Sequence, residues 1–424
     1  MVKTPSFKWQ PGDPPPIIEP HSEAKLKVLH EYLIRYVETM AANIKIETLR
    51  FDVVDGFAGG GLFEKSDGSL INGSPITFIE TIEAARISVG EKRGRPLNVD
   101  INYYFIDHDP GAIEYLKNTL LDRGHGDKLN RSVYLICDQW VNVYQSVVSA
   151  ILSRRKSGRA ILFLDQCGYT DVPLNTIRLV LAKLKKAEII LNFATDFLAN
   201  YYTVDDRFRS ALQKAGIDEK ILRDPVIASK DKGWRFALER EISRDIRAVT
   251  ESHYSTPFYI VSEKSNNAYW LVHLCSHPKA NDEMLKTHWS IGNHFRHYGG
   301  PGTDMHMWGY SAKNDPELHN ILDLGFEEID RQKCVEALNE QLPRIIFENP
   351  DGLTFSALRE RLKNNTLVWE DEIRERFINI QKETNDLEII TPVKNIRRSS
   401  QGISADDIIR KPSQGIFDFG KNKS

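Results

Sequence analysis

One stretch of this chain brings a carboxylate and glycines together in a way that suits ligand binding. FDVVDGFAGGG, residues 51–61, runs from an apolar strand into Asp55, then Gly56, Phe57, Ala58, Gly59, Gly60 and Gly61. Glycine lacks a Cβ, so such a backbone can approach a ligand closely and tolerate positive φ. No Gly-Lys-Ser/Thr follows, which argues against a triphosphate-binding loop. Four further strand ends carry polar residues in order. INYYFID ends at Asp107, where a carboxylate can accept hydrogen bonds from both hydroxyls of a ribose. SVYLIC leads into Asp138 and Gln139, a pair suited to an adenine amino group. AILFL leads into Asp165, Gln166, Cys167, Gly168 and Tyr169, where a reacting group would sit. There Asp165 can accept hydrogen bonds from an exocyclic amine, and Tyr169 can stack on its ring. AEIILNF carries Asn192 and leads to Asp196. Any one of these residues alone would read as a turn or cap; the series on successive strand tips reads as a site.

Two other chemistries are weaker. A thiolate at Cys167 could add to a pyrimidine ring, but the usual preceding proline is absent, and cysteine is often a small buried hydrophobe. His273, His277, His288, His294, His297 and His306 are clustered in sequence, and His294 and His297 could share a helix face. No cysteine or carboxylate spacing completes a ligand set, so no metal is expected.

The elements that must position these residues follow from the hydrophobic pattern. Residues 1–20 are proline-rich and read as an extended strap. A helix is expected from His21, with Ser22 as its N-cap and an apolar stripe through Leu26, Val28, Leu29, Tyr32, Leu33 and Val37. Strands apolar on both faces then alternate with amphipathic helices, the pattern of a doubly wound, mostly parallel α/β sheet. Such a sheet binds ligands beyond the carboxyl ends of its strands. After the glycine loop, LFEKSDGSLING intervenes as a lid or pocket wall before a helix opens at Ser74-Pro75, with Ser74 as N-cap. PFYIVSE and AYWLVHLC read as a closing hairpin. HWSIGNHFRHYGGPGTDMHMWGY has no readable local structure. The expected organisation is a strap and helix over 1–45, an α/β domain with insertions over 46–325, a winged-helix-like module over 326–396 and a loose tail over 397–424.

The 424 residues exceed one ordinary domain, and 41% hydrophobic with 27% charged residues suits a globular chain. A net charge of -3 does not indicate a globally basic nucleic-acid binder. Basic clusters at Lys92-Arg93-Arg95, Arg154-Arg155-Lys156-Arg159, Lys183-Lys185-Lys186 and Lys230-Lys232-Trp234-Arg235 leave local binding open. The four separated cysteines, the absence of an apolar leader and of a membrane-length apolar run lead us to expect a cytoplasmic protein with reduced thiols.

Together FDVVDGFAGGG, FIDHDP, LICD and LFLDQCGY resemble motifs I to IV of class I S-adenosylmethionine-dependent methyltransferases. More narrowly, PHSEAKLKVLHEYL, DGFAGGG followed by Gly73-Ser74-Pro75, LFLDQCGY and HPKANDEMLKTHWSIGNHF resemble the bacterial three-Cys-motif partner (TcmP) family over about residues 8–395. The resemblance implies a methyltransferase-like fold, S-adenosyl-L-methionine as cofactor, and a radical-enzyme-like partner protein with a three-cysteine motif. It implies that Asp55, Phe57, Gly59 and Gly61 line the methionine end, that Asp107 holds the ribose and that Asp138 holds the adenine. The chain departs from the family where Asp-Pro-Phe-Gly is expected and Asp165-Gln166-Cys167-Gly168 stands. Two readings stay open: a methyltransferase acting on nucleic acid or a modified base, and a non-catalytic partner of the same fold that binds protein or nucleic acid.

Overall fold

Residues 7–167, 169–193, 206–230, 234–261, 268–291, 295–298, 323–325 and 328–412 are described in the computed structural model. The described residues form two compact units, the first within residues 7–325 and the second within 328–412.

The apolar runs of the first unit become the strands of one sheet. They are β1 (Thr48–Asp55), β4 (Asn98–Asp107), β5 (Val133–Cys137), β6 (Arg159–Leu164) and β7 (Lys186–Phe193). These five lie parallel in the order β5-β4-β1-β6-β7. β9 (Ala268–Cys275) adds antiparallel to β7, and β8 (Tyr254–Val261) pairs antiparallel with β9. This is the expected closing hairpin. β10 (Phe295–Tyr298) and β11 (Asp323–Gly325) extend the sheet beyond β8. The doubly wound, mostly parallel sheet is as the sequence pattern requires. The order reverses between β1 and β6, and that switch point is where an open α/β sheet leaves a crevice.

Alternate strand residues supply two cores. On one face Val54, Ile106, Leu162 and Leu191 pack with Val147 and Ile151 of α4 (Trp140–Arg154), Ile177 of α5 (Leu174–Lys183) and Leu238 of the helix Trp234–Thr250. On the other, Phe51 meets Tyr36 of α1 (Pro20–Met40), and Phe163 meets Phe78 of α2 (Ser74–Arg93), with ring centroids 5.1 and 6.4 Å apart. A side chain on each face of every central strand explains why these strands read as continuous apolar runs.

Several boundaries differ from expectation. The first helix starts at Pro20 with Glu19 as N-cap, not at Ser22, because proline's fixed φ suits a first helical position. Likewise Gly73, not Ser74, caps α2. The stretch expected as a lid or wall is a hairpin, β2 (Leu62–Glu64) with β3 (Leu70–Asn72). The strap runs beside it, Ile17 bridging to Glu64 and the Ile18 amide donating to the Glu64 carbonyl at 2.8 Å.

The second unit runs α-helix Glu328–Phe347, strand Leu353–Thr354, helices Phe355–Leu362 and Glu370–Glu383, and strands Glu388–Ile390 and Ile408–Arg410. Its three strands form an antiparallel sheet with Ile408–Arg410 in the centre. The expectation of a loose tail from residue 397 is therefore corrected as far as residue 412. Ile409 is fully buried between two strands, and the buried Asp407 accepts from Arg397 Nε at 2.6 Å. The sequence misled because the connecting Ser and Gly residues hide a three-residue strand. Residues 413–424 lie outside the described residues.

Candidate functional site

The glycine loop begins where β1 ends and is stitched to the strands on either side. The Gly56 amide donates to the Phe163 carbonyl of β6, and the Ala58 amide to the Ile106 carbonyl of β4, each at 2.9 Å. Gly59 and Gly61 have φ of +58° and +77°, the left-handed region in which a side chain is strained. The Gly59 amide donates to Asp107 Oδ2 at 2.9 Å, and the Asp109 amide to Asp107 Oδ1 at 2.9 Å. Each oxygen of Asp107 keeps a second lone pair for a ligand hydroxyl.

The loop's glycines meet protein as well as open space. A Cβ on Gly60 would fall 2.2 Å from Cδ1 of Trp9, and one on Gly59 would fall 2.7 Å from its Cη2. Trp9, in the strap, is buried and donates from Nε1 to the Leu62 carbonyl at 2.9 Å. Phe63 meets it edge-on at 5.2 Å. Part of the glycine signal thus records the seat of an indole from the same chain.

Carboxylates dominate the electrostatics. Asp55 is completely buried; its Oδ1 accepts from the Phe57 amide at 3.1 Å, the Ser74 side chain favours its charged form, and Oδ2 makes no hydrogen bond of ordinary geometry among the described residues. No cation pairs with it among the described residues. Burial outweighs the stabilising Ser74 side chain and Phe57 amide and, with Asp165 and Asp107 as further negative neighbours, pushes its carboxyl up to about 7. Asp165, just past β6, is paired with Lys25 Nζ of α1 at 2.5 Å, and the Lys25 side chain is only 6% exposed. His21, one turn earlier, is lowered to about 4 by burial and by the Lys25 ammonium. Sequence reasoning missed Lys25 and His21 as members of the site. The signal was available: Lys25 lies three residues before Val28 and four before Leu29, on the apolar stripe of its helix.

At the next strand tips, Gln166 Oε1 accepts from the Asp171 and Val172 amides at 3.1 and 3.0 Å, which leaves Nε2 unpartnered. Asn192 Nδ2 donates to the Gln166 carbonyl at 3.0 Å, which leaves Oδ1 unpartnered. Both side chains are buried.

The other expected residues are placed less centrally. Asp138 Oδ1 accepts from the Gln139 amide and from Asn142 Nδ2, each at 2.7 Å, and these two bonds hold its carboxyl below the usual carboxylate range. Asp138 therefore braces the first turn of α4 at the crevice rim, and Gln139 is exposed. Tyr169 belongs to the buried core, its ring 6.0 Å from Phe193, so its expected stacking on a substrate is replaced here by packing. Cys167 reaches solvent, but its crowded surroundings and then the Asp165 charge push the thiol up, which disfavours a nucleophilic thiolate. Phe57 is half-buried against the core.

His273 and His288 are buried, and His294, His306, Gly168 and Asp196 lie outside the described residues, as does the His297 side chain. Among the described residues no three His, Cys, Asp or Glu side chains assemble a metal site. Two basic clusters brace the fold: Arg93 Nη2 donates to the carbonyls of Ile44 and Ile46 at 2.6 and 2.7 Å, and Arg154 Nη1 pairs with Asp52 at 2.6 Å. Lys183, Lys185 and Lys186 are exposed, the first two preceding β7 and the last opening it, at the end of the sheet away from the crevice. No described helix is long and apolar enough to cross a membrane.

No family model and no curated protein matches the chain. Among solved structures it is similar to the bifunctional kinase-methyltransferase WbdD, at 9% identity and a TM-score of 0.31, over 60% of this chain and 39% of that one. It is similar to the SAM-dependent methyltransferase of Agrobacterium tumefaciens at 11% identity and a TM-score of 0.31, over 61% and 63% of the two chains. Cofactor-bound Rv0187 from MTB is similar at 10% identity and a TM-score of 0.28, over 61% and 91%. The chain thus spans less than two thirds of the first two structures. Likeness of this degree bears on neither substrate nor reaction.

Proposed function

We propose that the chain is an S-adenosylmethionine-dependent methyltransferase whose cofactor lies in the crevice beyond β1, β4 and β6. The observation that carries this reading is Asp55, a fully buried carboxylate without a cation, facing two further carboxylates at the switch point of the sheet. A buried, uncompensated carboxylate is costly, and a ligand bearing positive charge relieves the cost. S-adenosylmethionine brings an ammonium and a sulfonium, and when bound it supplies an electrophilic methyl group. Asp55 and residues 56–61 would hold its methionine end, Asp107 its ribose, and the rim at Asp138 its adenine. Methyl transfer asks mainly for alignment of an acceptor atom. Asp165, Gln166 Nε2 and Asn192 Oδ1 offer hydrogen-bonding groups that would orient it. A nucleic acid or modified base is the acceptor class we favour, since a planar amine can use both a donor and an acceptor. The family resemblance adds the three-Cys-motif protein as partner. The helix-strand-helix-helix-strand-strand order of the second unit supports a winged-helix module that would dock partner or substrate.

One observation favours the rival reading of a non-catalytic partner protein. Trp9 fills the space that Gly59 and Gly60 leave open, as an architectural loop would require. Isothermal titration with S-adenosylmethionine and S-adenosylhomocysteine separates the two. Micromolar binding that Asp107→Ala abolishes is the expected result; no binding by the folded parent chain would leave only the partner-protein reading.

A further inference from the structure

The Lys25–Asp165 pair joins the first helix to the crevice across 140 residues of sequence. We propose that Lys25 is a charge-balancing residue of the crevice, setting how strongly it prefers a sulfonium cofactor over the neutral thioether product. This rests on the reading of the crevice as the S-adenosylmethionine site.

Three features carry the inference. First, Lys25 is buried on a helix face that it shares with buried Val28 and Leu29 on one side and buried His21 and Ser22 on the other. A buried ion pair is a poor source of stability compared with a well-packed apolar pair, so packing alone does not account for it. Second, the crevice would otherwise hold three carboxylates, Asp55, Asp107 and Asp165, and the Lys25 ammonium offsets the one past β6, where the acceptor would sit. Third, the charges act across the crevice: Lys25 and Asp165 oppose each other at both His21 and Cys167, and Asp165 acts on Asp55. S-adenosylmethionine and S-adenosylhomocysteine share their ribose, adenine and amino-acid groups and differ by a methyl and one positive charge. Their affinity ratio therefore reads the potential at the sulfur. Without Lys25 the crevice would hold the sulfonium more tightly; without Asp165 it would hold the uncharged product relatively better.

The test measures the Kd of both ligands by titration calorimetry for the parent, Lys25→Met, Asp165→Asn, Lys25→Arg and the double Lys25→Met/Asp165→Asn variant. Lys25→Met is expected to shift the ratio about tenfold toward S-adenosylmethionine, the order of one unit charge acting over several ångströms at intermediate dielectric. Asp165→Asn is expected to shift it the opposite way, and Lys25→Arg and the double variant to stay near the parent. Should Lys25→Met not fold, Asp165→Asn and the double variant decide. Equal weakening of both ligands, or an unmoved ratio, would overturn the proposal and make the pair a brace for α1. Failure of the parent to bind either ligand would overturn the cofactor reading and this inference with it.

Discussion

Two aspartates on one strand, three residues apart, have been given opposite surroundings. Asp52 and Asp55 are both fully buried in β1. Asp52 points into a cluster in which Arg154 Nη1 lies at 2.6 Å, Arg155 Nη1 at 3.9 Å, and the Asn102 amide donates at 3.0 Å. The same arginines reach Asp100 on β4. Burial raises the Asp52 carboxyl, and Arg155 and Arg154 pull it back. Asp55, nearer the carboxyl end, has carboxylates where Asp52 has guanidinium groups. The amino-terminal side of the strand meets its carboxylate with two arginines, and at the carboxyl-terminal side no cation among the described residues pairs with Asp55. A buried charge alone is thus no mark of a site; a buried charge without a counter-charge is.

The sharpest way to break this contrast is Asp55→Asn. Ligand binding should fall by at least about a hundredfold, a typical consequence of removing a buried charged partner. The substitution should also stabilise the free protein at neutral pH. A carboxyl raised to about 7 binds more protons folded than unfolded between pH ~4 and ~7, so the parent loses stability as pH rises through that window. The span corresponds to roughly 4 kcal/mol. Urea unfolding at pH 5 and pH 8 should show the parent weakening with pH more than the variant; parallel behaviour would remove Asp55 as the uncompensated group.

Asp52→Ala should do the converse. It leaves two arginines without their buried partner and should cost about 3 kcal/mol in urea unfolding. Titration with S-adenosylmethionine should be unchanged, and a large loss of affinity there would mean the two ends are not independent. A smaller effect is expected within the crevice. Gly60→Ala must push aside the Trp9 indole and should cost about 1–3 kcal/mol. Combined with Trp9→Ala the penalty should shrink, giving a coupling energy between the two positions. The smallest effect belongs to the exposed surface. Lys183→Glu should change unfolding free energy by less than about 0.5 kcal/mol and leave cofactor affinity unaltered.

The sheet was legible because parallel strands buried on both faces are apolar along most of their length, as YYFI and AILFL are. The glycine loop and the strand-end carboxylates were legible for a related reason: polar residues that interrupt such strands stand out. What each carboxylate does was not. Asp107 and Asp138 look alike in sequence, yet one accepts from the glycine loop while the other accepts from the Gln139 amide and the Asn142 side chain at the start of α4. Tyr169 read as a reacting neighbour and packs as core, since a strand end does not say which way the next side chain turns. The placement of Lys25 against Asp165 depends on how a helix docks across distant strands, and no local pattern encodes that. The last strand, Ile408–Arg410, is too short to show periodicity.

The docking of α1 has a consequence for the order of folding. Its partners lie far along the chain: Asp165 is 140 residues from Lys25, Glu188 is 156 from Tyr32, and His273 is 241 from Tyr32. During synthesis this helix leaves the ribosome before β6, β7 and β9, yet the surface that receives it exists only after they have emerged. Closing loops of that length is entropically unfavourable until the sheet rewards it. A helix made before these strands therefore settles after them, and the crevice acquires its lysine only once β6 and its neighbours have been made.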